Sequence, residues 1–318
     1  MSGSEHGQAA GASESQPTYR VWCAEGAEYH PRRTIRIRHS FSSHPLLTVS
    51  ALHRLGEKFR AQGNHHQIKF VRKGTTSGDK LDPLSYDESR GSLSEVFSRI
   101  EEPGSWVSLY HVQTDPEYAE MLRAISTTVA GWQEALDPGA FDWAGFIFVS
   151  SPPSATPFHI DRENNFFLQI HGKKRMSVWD PADRHVVPES AIEDRMAHGA
   201  NSNVHFDTSF FQRAIINDEL GPGEGVYMPS TSGHTTNTEA KPAGPDDTYS
   251  VSIGVNFYTK ATRRAGNNYA LNYYLRRLGM NPRSPYESPA LDKLKYPVAR
   301  SLVLAKKYFR GFEIPPGM

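Results

Sequence analysis

The sequence predicts a mainly β protein with flanking helices, whose strands form a sandwich or a barrel. Residues 143–260 consist of short β-type runs separated by Pro, Gly, Asn and Asp, a spacing typical of such folds. Stretches with helical spacing of apolar residues come before this part and after it. We therefore expect a helical N-terminal region, a β core and a C-terminal helical extension.

The N-terminal part alternates between polar segments and short predicted elements. Residues 1–16 are rich in Ser, Gly, Ala and Glu and predict a disordered tail. The run TIRIRHS from Thr34 predicts a strand, and SWVSLYHVQ predicts another. Helices are predicted over 43–62, with Ser50 as a candidate N-cap, over 92–102, capped by Ser92 or Ser94, and over 116–136. Residues 73–92 are loop-like.

The β core follows, and then the helical pattern returns. Its predicted strands are AGFIFVSS, NNFFLQIHG, KRMSVWDP, EGVYMPS and YSVSIGVNFYT. Helical spacing resumes after residue 262, in NNYALNYYLRRLG and LDKLKYPVARSLVLAKKYFRG. We interpret 17–262 as one catalytic domain, with its core strands over 143–260, and 263–318 as a C-terminal helical extension.

The composition excludes several classes of protein. The 35 Lys and Arg residues balance 35 Asp and Glu residues, which does not suggest a nucleic-acid-binding protein. The single cysteine, Cys23, rules out an intramolecular disulfide framework and fits a reducing compartment. Neither a signal peptide nor a stretch of about 18 apolar residues is visible. We expect a soluble cytoplasmic protein that binds neither nucleic acid nor membrane.

A candidate metal site lies in the segment TPFHIDRENNFF. Residues i and i+2 of a strand point to the same face, so His159 and Asp161 can both face one ion. Two histidines and one carboxylate, with open positions opposite, are the ligands of non-heme Fe(II) oxygenases. His234 is the candidate third ligand, because it follows an apolar strand and a Pro turn in GEGVYMPSTSGH. Other histidines lie in polar loops and are expected at the surface: His65, His66, His171, His185, His198 and His205.

These motifs occur in an order that resembles a known family. The order is His-x-Asp, Asn-Phe-Phe-x-Gln-Ile-x-Gly-x-Lys-Arg, Gly-Glu-x-x-Tyr-x-Pro, Gly-His and Val-Asn-Phe-Tyr. It resembles the JmjC/cupin-like Fe(II)- and 2-oxoglutarate-dependent oxygenases, and most of all the asparaginyl-hydroxylase branch that acts on hypoxia-inducible factor. The resemblance covers 143–260, is specific over 156–181 and is looser at 223–258. It implies a double-stranded β-helix, the cupin or jelly-roll fold, flanked by helices.

The resemblance also implies a set of residues that bind the cosubstrate. Lys174 matches the lysine that pairs with the distal carboxylate of 2-oxoglutarate, and Thr156 matches a hydroxyl that bonds the same group. Asn165 and Asn256 match polar residues near the cosubstrate. Tyr110 lies at about the distance upstream at which a cosubstrate tyrosine occurs, but it also fits a core tyrosine.

Strand alternation supports an inward position for Lys174. The residue alternatively fits a solvated turn, because Lys173 and Arg175 lie beside it in GKKR. If the strand continues through Met176 and Val178, Lys174 shares their buried face and its two basic neighbours point outward. Such a cation is what a buried dicarboxylate requires.

The function that these residues imply is oxidative. We expect a 2-oxoglutarate-dependent hydroxylase that acts on a C–H bond of a protein side chain or small metabolite, using Fe(II) and O2 and releasing succinate and CO2. Asp161 favours hydroxylation, because many demethylating relatives carry Glu at that position. The alternative is a cupin-type metal-binding protein or isomerase without 2-oxoglutarate turnover, since the fold alone does not determine the function.

Two further segments leave alternatives open. The connection 183–219 is where we expect substrate specificity. The stretch RRAGNNYALNYYLRRLG is either part of a substrate-facing surface or a helix packed on the barrel. The last helix carries apolar residues and a basic end, and it is a candidate homodimer contact, with a kink or a new start expected at Pro297. These residues are Leu291, Leu294, Val298, Leu302, Ala305, Lys306, Lys307 and Arg310.

Overall fold

The chain folds into two facing antiparallel sheets with helices on their outer sides. A computed structural model describes residues 19–70, 75–80, 84–87, 92–199, 203–238 and 248–310; the predicted tail over 1–16 lies outside these residues. Within them, one sheet has nine strands in the order β1-β2-β11-β8-β13-β6-β5-β3-β4, and the other has four in the order β10-β9-β12-β7. This is the predicted mainly β architecture with a cupin or jelly-roll core.

The elements of the described residues have the following bounds. The strands are β1 Val21–Cys23, β2 Ile35–His39, β3 Ile68–Phe70, β4 Leu84–Ser85, β5 Trp106–Tyr110, β6 Phe141–Ser150, β7 Ser154–Ile160, β8 Asn164–His171, β9 Lys174–Val178, β10 Ile216–Leu220, β11 Glu224–Met228, β12 Gly233–Thr238 and β13 Ser250–Tyr258. The helices are α1 Val49–Ala61, α2 Leu93–Ser98, α3 Pro116–Leu136, α4 Glu189–His198, α5 Lys260–Arg277 and α6 Pro289–Arg310.

Most predicted elements are confirmed, with shifts at their ends. Helix α1 begins at Val49, six residues after the predicted start, because residues 45–47 form a 3-10 turn and the side chain of Thr48, not Ser50, accepts a hydrogen bond from the Ala51 backbone N–H at 3.3 Å. Ser92 caps α2 in the same way. The N-terminal region is not only helical, since β1 to β5 extend the large sheet on both sides of its central strands.

Three apolar clusters hold the layers together. Helices α1 and α3 cover the outer face of the large sheet, where Leu52 and Ile125 pack with Ile253. Helices α4, α5 and α6 cover the small sheet around Phe158 and Trp179. A third cluster, which includes Met176 on β9 and Val226 on β11, joins the two sheets to each other. Burial of this apolar area is the main force that brings the sheets together.

Strands β8 and β13 are buried on both faces, and the two faces differ in chemistry. Apart from Asn164 at the start of β8, the face toward α1 and α3 carries apolar side chains: Phe166, Leu168, Ile170, Val251, Ile253, Val255 and Phe257. Alternate residues face the small sheet, and they include Asn165, Phe167, Gly254 and Asn256. The period of two along a strand therefore separates a packed core from an inner cavity.

The connection 183–219 contains more structure than its sequence indicates. It holds helix α4, a 3-10 helix at Thr208–Arg213 and strand β10. Helix α4 has few of the usual signals, since Pro188 at its N-cap makes no side-chain hydrogen bond. Its Ile192 and Met196 pack against the small sheet, so the connection is part of the scaffold as well as of the cavity rim.

The C-terminal helices pack beside α4. Helix α5 has buried asparagines at Asn267, Asn268 and Asn272, which supports the packed-helix interpretation of this stretch. Helix α6 continues through Pro297 without interruption, so no new helix starts at this residue. Among the described residues, no helix has the length and apolar composition needed to cross a membrane.

Candidate metal centre

A cavity of about 470 Å³ lies between the two sheets. Strands β5, β6, β8 and β13 of the large sheet supply one wall, and β7, β9 and β12 of the small sheet supply the other. The lining includes every candidate residue that the sequence indicated: Tyr110, Thr156, His159, Asp161, Asn165, Lys174, His234 and Asn256. The volume of the cavity falls in the range of ligand pockets.

His159, Asp161 and His234 converge at one point of the cavity wall. Their ligand atoms all lie within 4.8 Å of one another. The Asp161 carboxylate is 3.9 Å from Nε2 of His159 and 3.6 Å from Nε2 of His234. An ion with ligand distances of about 2.1 Å spans at most about 4.2 Å between two ligands, so one ion fits between the carboxylate and either imidazole.

Strand pairing places the two histidines side by side. His159 near the end of β7 is the direct partner of His234 at the start of β12, and their ring centroids are 4.1 Å apart. Asp161 follows β7 immediately and its backbone carbonyl accepts a hydrogen bond from Thr231 N–H at 2.9 Å. The candidate third ligand therefore lies beside His159 on a neighbouring strand, at the start of β12.

The backbone selects the same tautomer in both rings. Nδ1 of His159 lies 2.7 Å from the Pro157 carbonyl, and Nδ1 of His234 lies 3.0 Å from the Ser232 carbonyl. A carbonyl only accepts hydrogen bonds, so each Nδ1 carries the proton and each Nε2 keeps its lone pair. This is the usual way in which a second contact orients a metal-binding histidine. The donor set and its orientation therefore fit a divalent metal.

An irregularity in β7 brings Thr156 to the same side as His159. His234 pairs with His159 and Thr236 pairs with Thr156, so β7 uses one residue more than β12 over this interval. Such a bulge changes the side to which later residues point. Simple alternation would have placed Thr156 on the opposite face, yet both residues line the cavity.

Burial dominates the electrostatics of the triad. Burial, and then the neighbouring His234, lower the pKa of His159 to about 4, so its imidazole is neutral at physiological pH and able to bind a metal. Burial also acts to raise the pKa of Asp161, but the two imidazoles and Arg195 outweigh it and hold that pKa below its usual value. The carboxylate is therefore ionised.

Lys174 is a buried lysine on the same wall as the triad, on β9 beside β12. It is 3% exposed and its Nζ donates a hydrogen bond to Ser252 Oγ at 3.1 Å. Burial lowers its pKa to about 7, which shows that no carboxylate of the described residues compensates its charge. Met176 and Val178 share its buried face, as alternation predicted, whereas Lys173 is exposed.

Two asparagines in the cavity lack protein partners. Asn165 on β8 and Asn256 on β13 are direct strand partners. Their Oδ1 atoms are buried and accept no hydrogen bond from the described residues. A side chain at Gly254 would meet the Asn165 amide at 3.3 Å, so the glycine leaves these amides open to the cavity. Buried polar groups without partners indicate a ligand or ordered water.

Tyr110 lies on the opposite wall of the same cavity. Its ring packs edge-on against Phe146 with centroids 5.0 Å apart, and burial raises its pKa to about 12. The phenol is therefore a neutral hydrogen-bond donor that faces the cavity. Its place in the lining is compatible with both the core and the cosubstrate interpretations of the sequence.

Several cavity residues were missed by the sequence reasoning. Glu163 and Arg195 are the charged ones, and the others are mainly apolar or small: Trp106, His111, Phe146, Phe148, Phe167, Met176, Gly199, Met228, Thr236 and Gly254. Glu163 has the same parity as Asn165, so strand alternation contained the signal for it. Arg195 comes from α4, whose approach to the cavity has no local signal. The histidines expected at the surface are absent from the lining residues.

Several solved structures are similar to this chain, at low identity and low TM-score. No curated protein matches the chain. Among solved structures, the ribosomal oxygenase YcfD from Escherichia coli is 18% identical with a TM-score of 0.37, over 74% of this chain and 54% of that one. YcfD in complex with cobalt and 2-oxoglutarate is 16% identical with a TM-score of 0.42, over 88% of this chain and 64% of that one. The chain thus spans about half to two thirds of these proteins.

The match to a protein family is more extensive. A family profile described as the cupin-like domain matches residues 38–263. This range begins in β2 and includes both sheets, all three candidate metal ligands and the cavity between the sheets. The chain therefore belongs to the cupin-like domain family.

Proposed function

We propose that this protein is an Fe(II)- and 2-oxoglutarate-dependent oxygenase that hydroxylates a C–H bond of a protein side chain or small metabolite. The observation that carries the proposal is the presence, in one cavity, of a two-histidine, one-carboxylate site and a buried lysine that forms no ion pair with a carboxylate of the described residues. The first suits Fe(II) with open positions. The second suits a dicarboxylic cosubstrate.

The residues divide the task between them. His159, Asp161 and His234 would hold the iron, and Lys174 with Ser252 and Thr156 would bind the distal carboxylate of the cosubstrate. The asparagine pair and Tyr110 supply further hydrogen-bonding groups around the same volume. When bound, iron and 2-oxoglutarate supply the oxidising chemistry, with O2 consumed and succinate and CO2 released. The protein orients the substrate and excludes water.

We also propose to which branch of these oxygenases the protein belongs. Asp161 in the carboxylate position and the segment HIDRENNFF support the hydroxylating, asparaginyl-hydroxylase-like branch over the demethylating enzymes. The substrate of that branch is not part of the proposal. We expect the protein to act in the cytoplasm.

Turnover of 2-oxoglutarate in the absence of substrate tests the function. We expect the purified protein with Fe(II), 2-oxoglutarate and O2 to form succinate, and His159→Ala and Lys174→Met to form none above background. Metal binding without succinate formation would favour the alternative cupin-type metal protein or isomerase. That alternative gives no reason for a buried cation at Lys174.

We also propose a homodimer that forms through α6. One face of this helix packs on the protein through Ala299 and Val303, whereas Leu294, Val298 and Tyr308 on another side are 75%, 62% and 85% exposed. Their spacing places them along one stripe of the helix, and a self-complementary apolar stripe suits a two-fold contact. Sedimentation of the wild type as a dimer and of Leu294→Asp/Val298→Asp as a folded monomer is the expected result.

A further inference from the structure

The cavity has a second charged end, away from Lys174. Glu163 directly precedes β8 and continues the row of cavity-facing residues that includes Asn165 and Phe167. On β13 the corresponding row runs from Ser252, which holds Lys174, through Gly254 and Asn256. The strand ends at Tyr258, whose hydroxyl donates a hydrogen bond of 2.6 Å to Glu163 Oε1.

The two charged ends are well separated. Ser252 and Tyr258 are six residues apart on one strand, which corresponds to about 20 Å. Asp161 of the metal site lies two residues before Glu163. A cosubstrate between Lys174 and the triad therefore leaves Glu163 at the end of the cavity away from Lys174.

The charge of Glu163 is incompletely compensated by the protein. The Tyr258 hydroxyl is its side-chain hydrogen-bond donor, and no Lys, Arg or His of the described residues forms an ion pair with it. Arg195 is tied to the end of α4, where its guanidinium donates to the Gly199 carbonyl and its own carbonyl accepts from Arg162 at 2.8 Å. A buried carboxylate of this kind is stabilised by a cation.

From this geometry we infer that Glu163 determines specificity, by accepting a hydrogen bond from an ammonium or guanidinium group that the substrate carries near the oxidised carbon. Tyr258 is the positioning residue, because it holds one carboxylate oxygen of Glu163. The inference rests on the proposed function, since it assigns the substrate class of the same site. It separates the roles of the two ends: Lys174 binds an anion and Glu163 binds a cation.

The test uses the full chain loaded with Mn(II) and 2-oxoglutarate, without turnover. The probes are three capped amino acids of similar length: Nα-acetyl-lysinamide, Nα-acetyl-glutaminamide and the α-amide of Nα-acetyl-glutamic acid. Mn(II) broadens the proton signals of any probe that binds beside it, so titration gives a dissociation constant for each. We expect the lysine probe to bind at least about tenfold more tightly than the other two, by about 1.4 kcal/mol.

Matched variants show which residue causes the preference. Glu163→Gln keeps the shape and an acceptor for Tyr258, and we expect it to remove the preference for the lysine probe. Tyr258→Phe should weaken the preference, because the carboxylate loses its positioning contact. Glu25→Gln, at an exposed glutamate in a turn, should retain it in full.

Three results overturn the inference. They are a lack of cation preference in the wild type, a preference that survives in Glu163→Gln, and a preference for the glutamate probe that disappears in Arg195→Gln. Binding of Mn(II) and 2-oxoglutarate is measured first, by the electron paramagnetic resonance signal of the free ion with and without the cosubstrate. Failure at that stage overturns the proposed function instead, so the two failures are distinguishable.

Discussion

The two faces of β8 and β13 are equally buried but differ in chemistry. One face, toward α1 and α3, carries apolar side chains, such as Ile253 and Phe257, which fill the core, with Asn164 at the start of β8 as the exception. The other face, toward the small sheet, carries Asn165 and Asn256, whose buried amide oxygens have no protein partner among the described residues. The same strands thus hold a packed core and an unsatisfied polar wall.

This difference shows which residues serve stability and which serve binding. An apolar side chain in a core stabilises the fold by leaving water, whereas a buried polar group without a partner destabilises it. The cavity-side polar groups are therefore explained by a ligand and not by folding. Substitutions on the cavity face should therefore change mainly ligand affinity, and substitutions on the core face should change mainly the free energy of unfolding.

The largest separation is expected at the metal ligands. His159→Ala removes one of the three proposed ligands of the ion, and we expect the affinity for Mn(II) to fall by at least about 100-fold. Succinate formation should fall to background, while the thermal unfolding temperature of the metal-free protein stays close to that of the wild type. Unchanged Mn(II) affinity would show that the ion binds elsewhere.

Lys174→Met should change binding and stability in opposite directions. The variant removes the buried cation, so 2-oxoglutarate affinity should fall by about 3 kcal/mol or more, since an unpaired buried charge is costly. The ligand-free protein should become more stable by about 1–4 kcal/mol, because methionine fits a buried site without desolvating a charge. Chemical denaturation and a 2-oxoglutarate titration measure the two effects. Loss of both would mean that Lys174 is structural.

Ile253→Ala and Asn256→Ala are the matched pair on one strand. Ile253→Ala leaves a hole in the core and should lower the free energy of unfolding by about 2–5 kcal/mol, with 2-oxoglutarate affinity unchanged in the folded fraction. Asn256→Ala should cost less than about 1 kcal/mol of stability, because the amide oxygen has no partner to lose, and it should weaken 2-oxoglutarate binding. If the two variants changed the free energy of unfolding and the 2-oxoglutarate affinity equally, the distinction between the core face and the cavity face would be contradicted.

A titration at His39 belongs to the core side and changes stability only at acidic pH. Burial lowers its pKa from 6.5 to about 4, so the folded state resists protonation. Its contribution to stability is present above pH 6.5 and is lost as the pH falls toward 4. The loss is at most about 3.5 kcal/mol, because a shift of 6.5 − 4 = 2.5 units is worth about 1.4 kcal/mol per unit.

The difference between the wild type and His39→Gln isolates this effect from the other histidines. We expect the variant to show a flatter decline of unfolding free energy between pH 6.5 and 4. Succinate formation at pH 7.5 should be unchanged, because His39 is not among the cavity residues. Parallel pH curves for the two proteins would show that another group is responsible.

Strand periodicity accounts for much of what the sequence predicted. The alternation in HIDRENNFF indicated that His159 and Asp161 share a face. The alternation in GKKRMSV indicated that Lys174 points to the buried side of its strand. The same rule would have identified Glu163, which shares the parity of Asn165. Local patterns were sufficient where a strand is regular, because the side-chain direction then repeats every two residues.

The remaining features depend on contacts that are distant in sequence. The position of Thr156 results from a bulge that only the pairing of β7 with β12 reveals. Arg195 reaches the cavity because α4 packs on the small sheet, and the polar sequence 183–219 gives little indication of that helix. The assignment of His234 rested on its context and on a family resemblance, since nothing in its own segment specifies which strand becomes its neighbour.

The carbonyl contacts of the two histidines also bear on which metal the protein acquires. Pro157 and Ser232 orient both rings before any ion arrives, so the site does not reorganise to suit one element. Without such adjustment, the affinities of divalent ions follow the general order in which Co(II), Ni(II), Cu(II) and Zn(II) bind nitrogen and oxygen ligands more tightly than Fe(II). As an Fe(II) site of the proposed kind, the triad would therefore be loaded according to the supply of metals during synthesis, and excess zinc is expected to inhibit the protein.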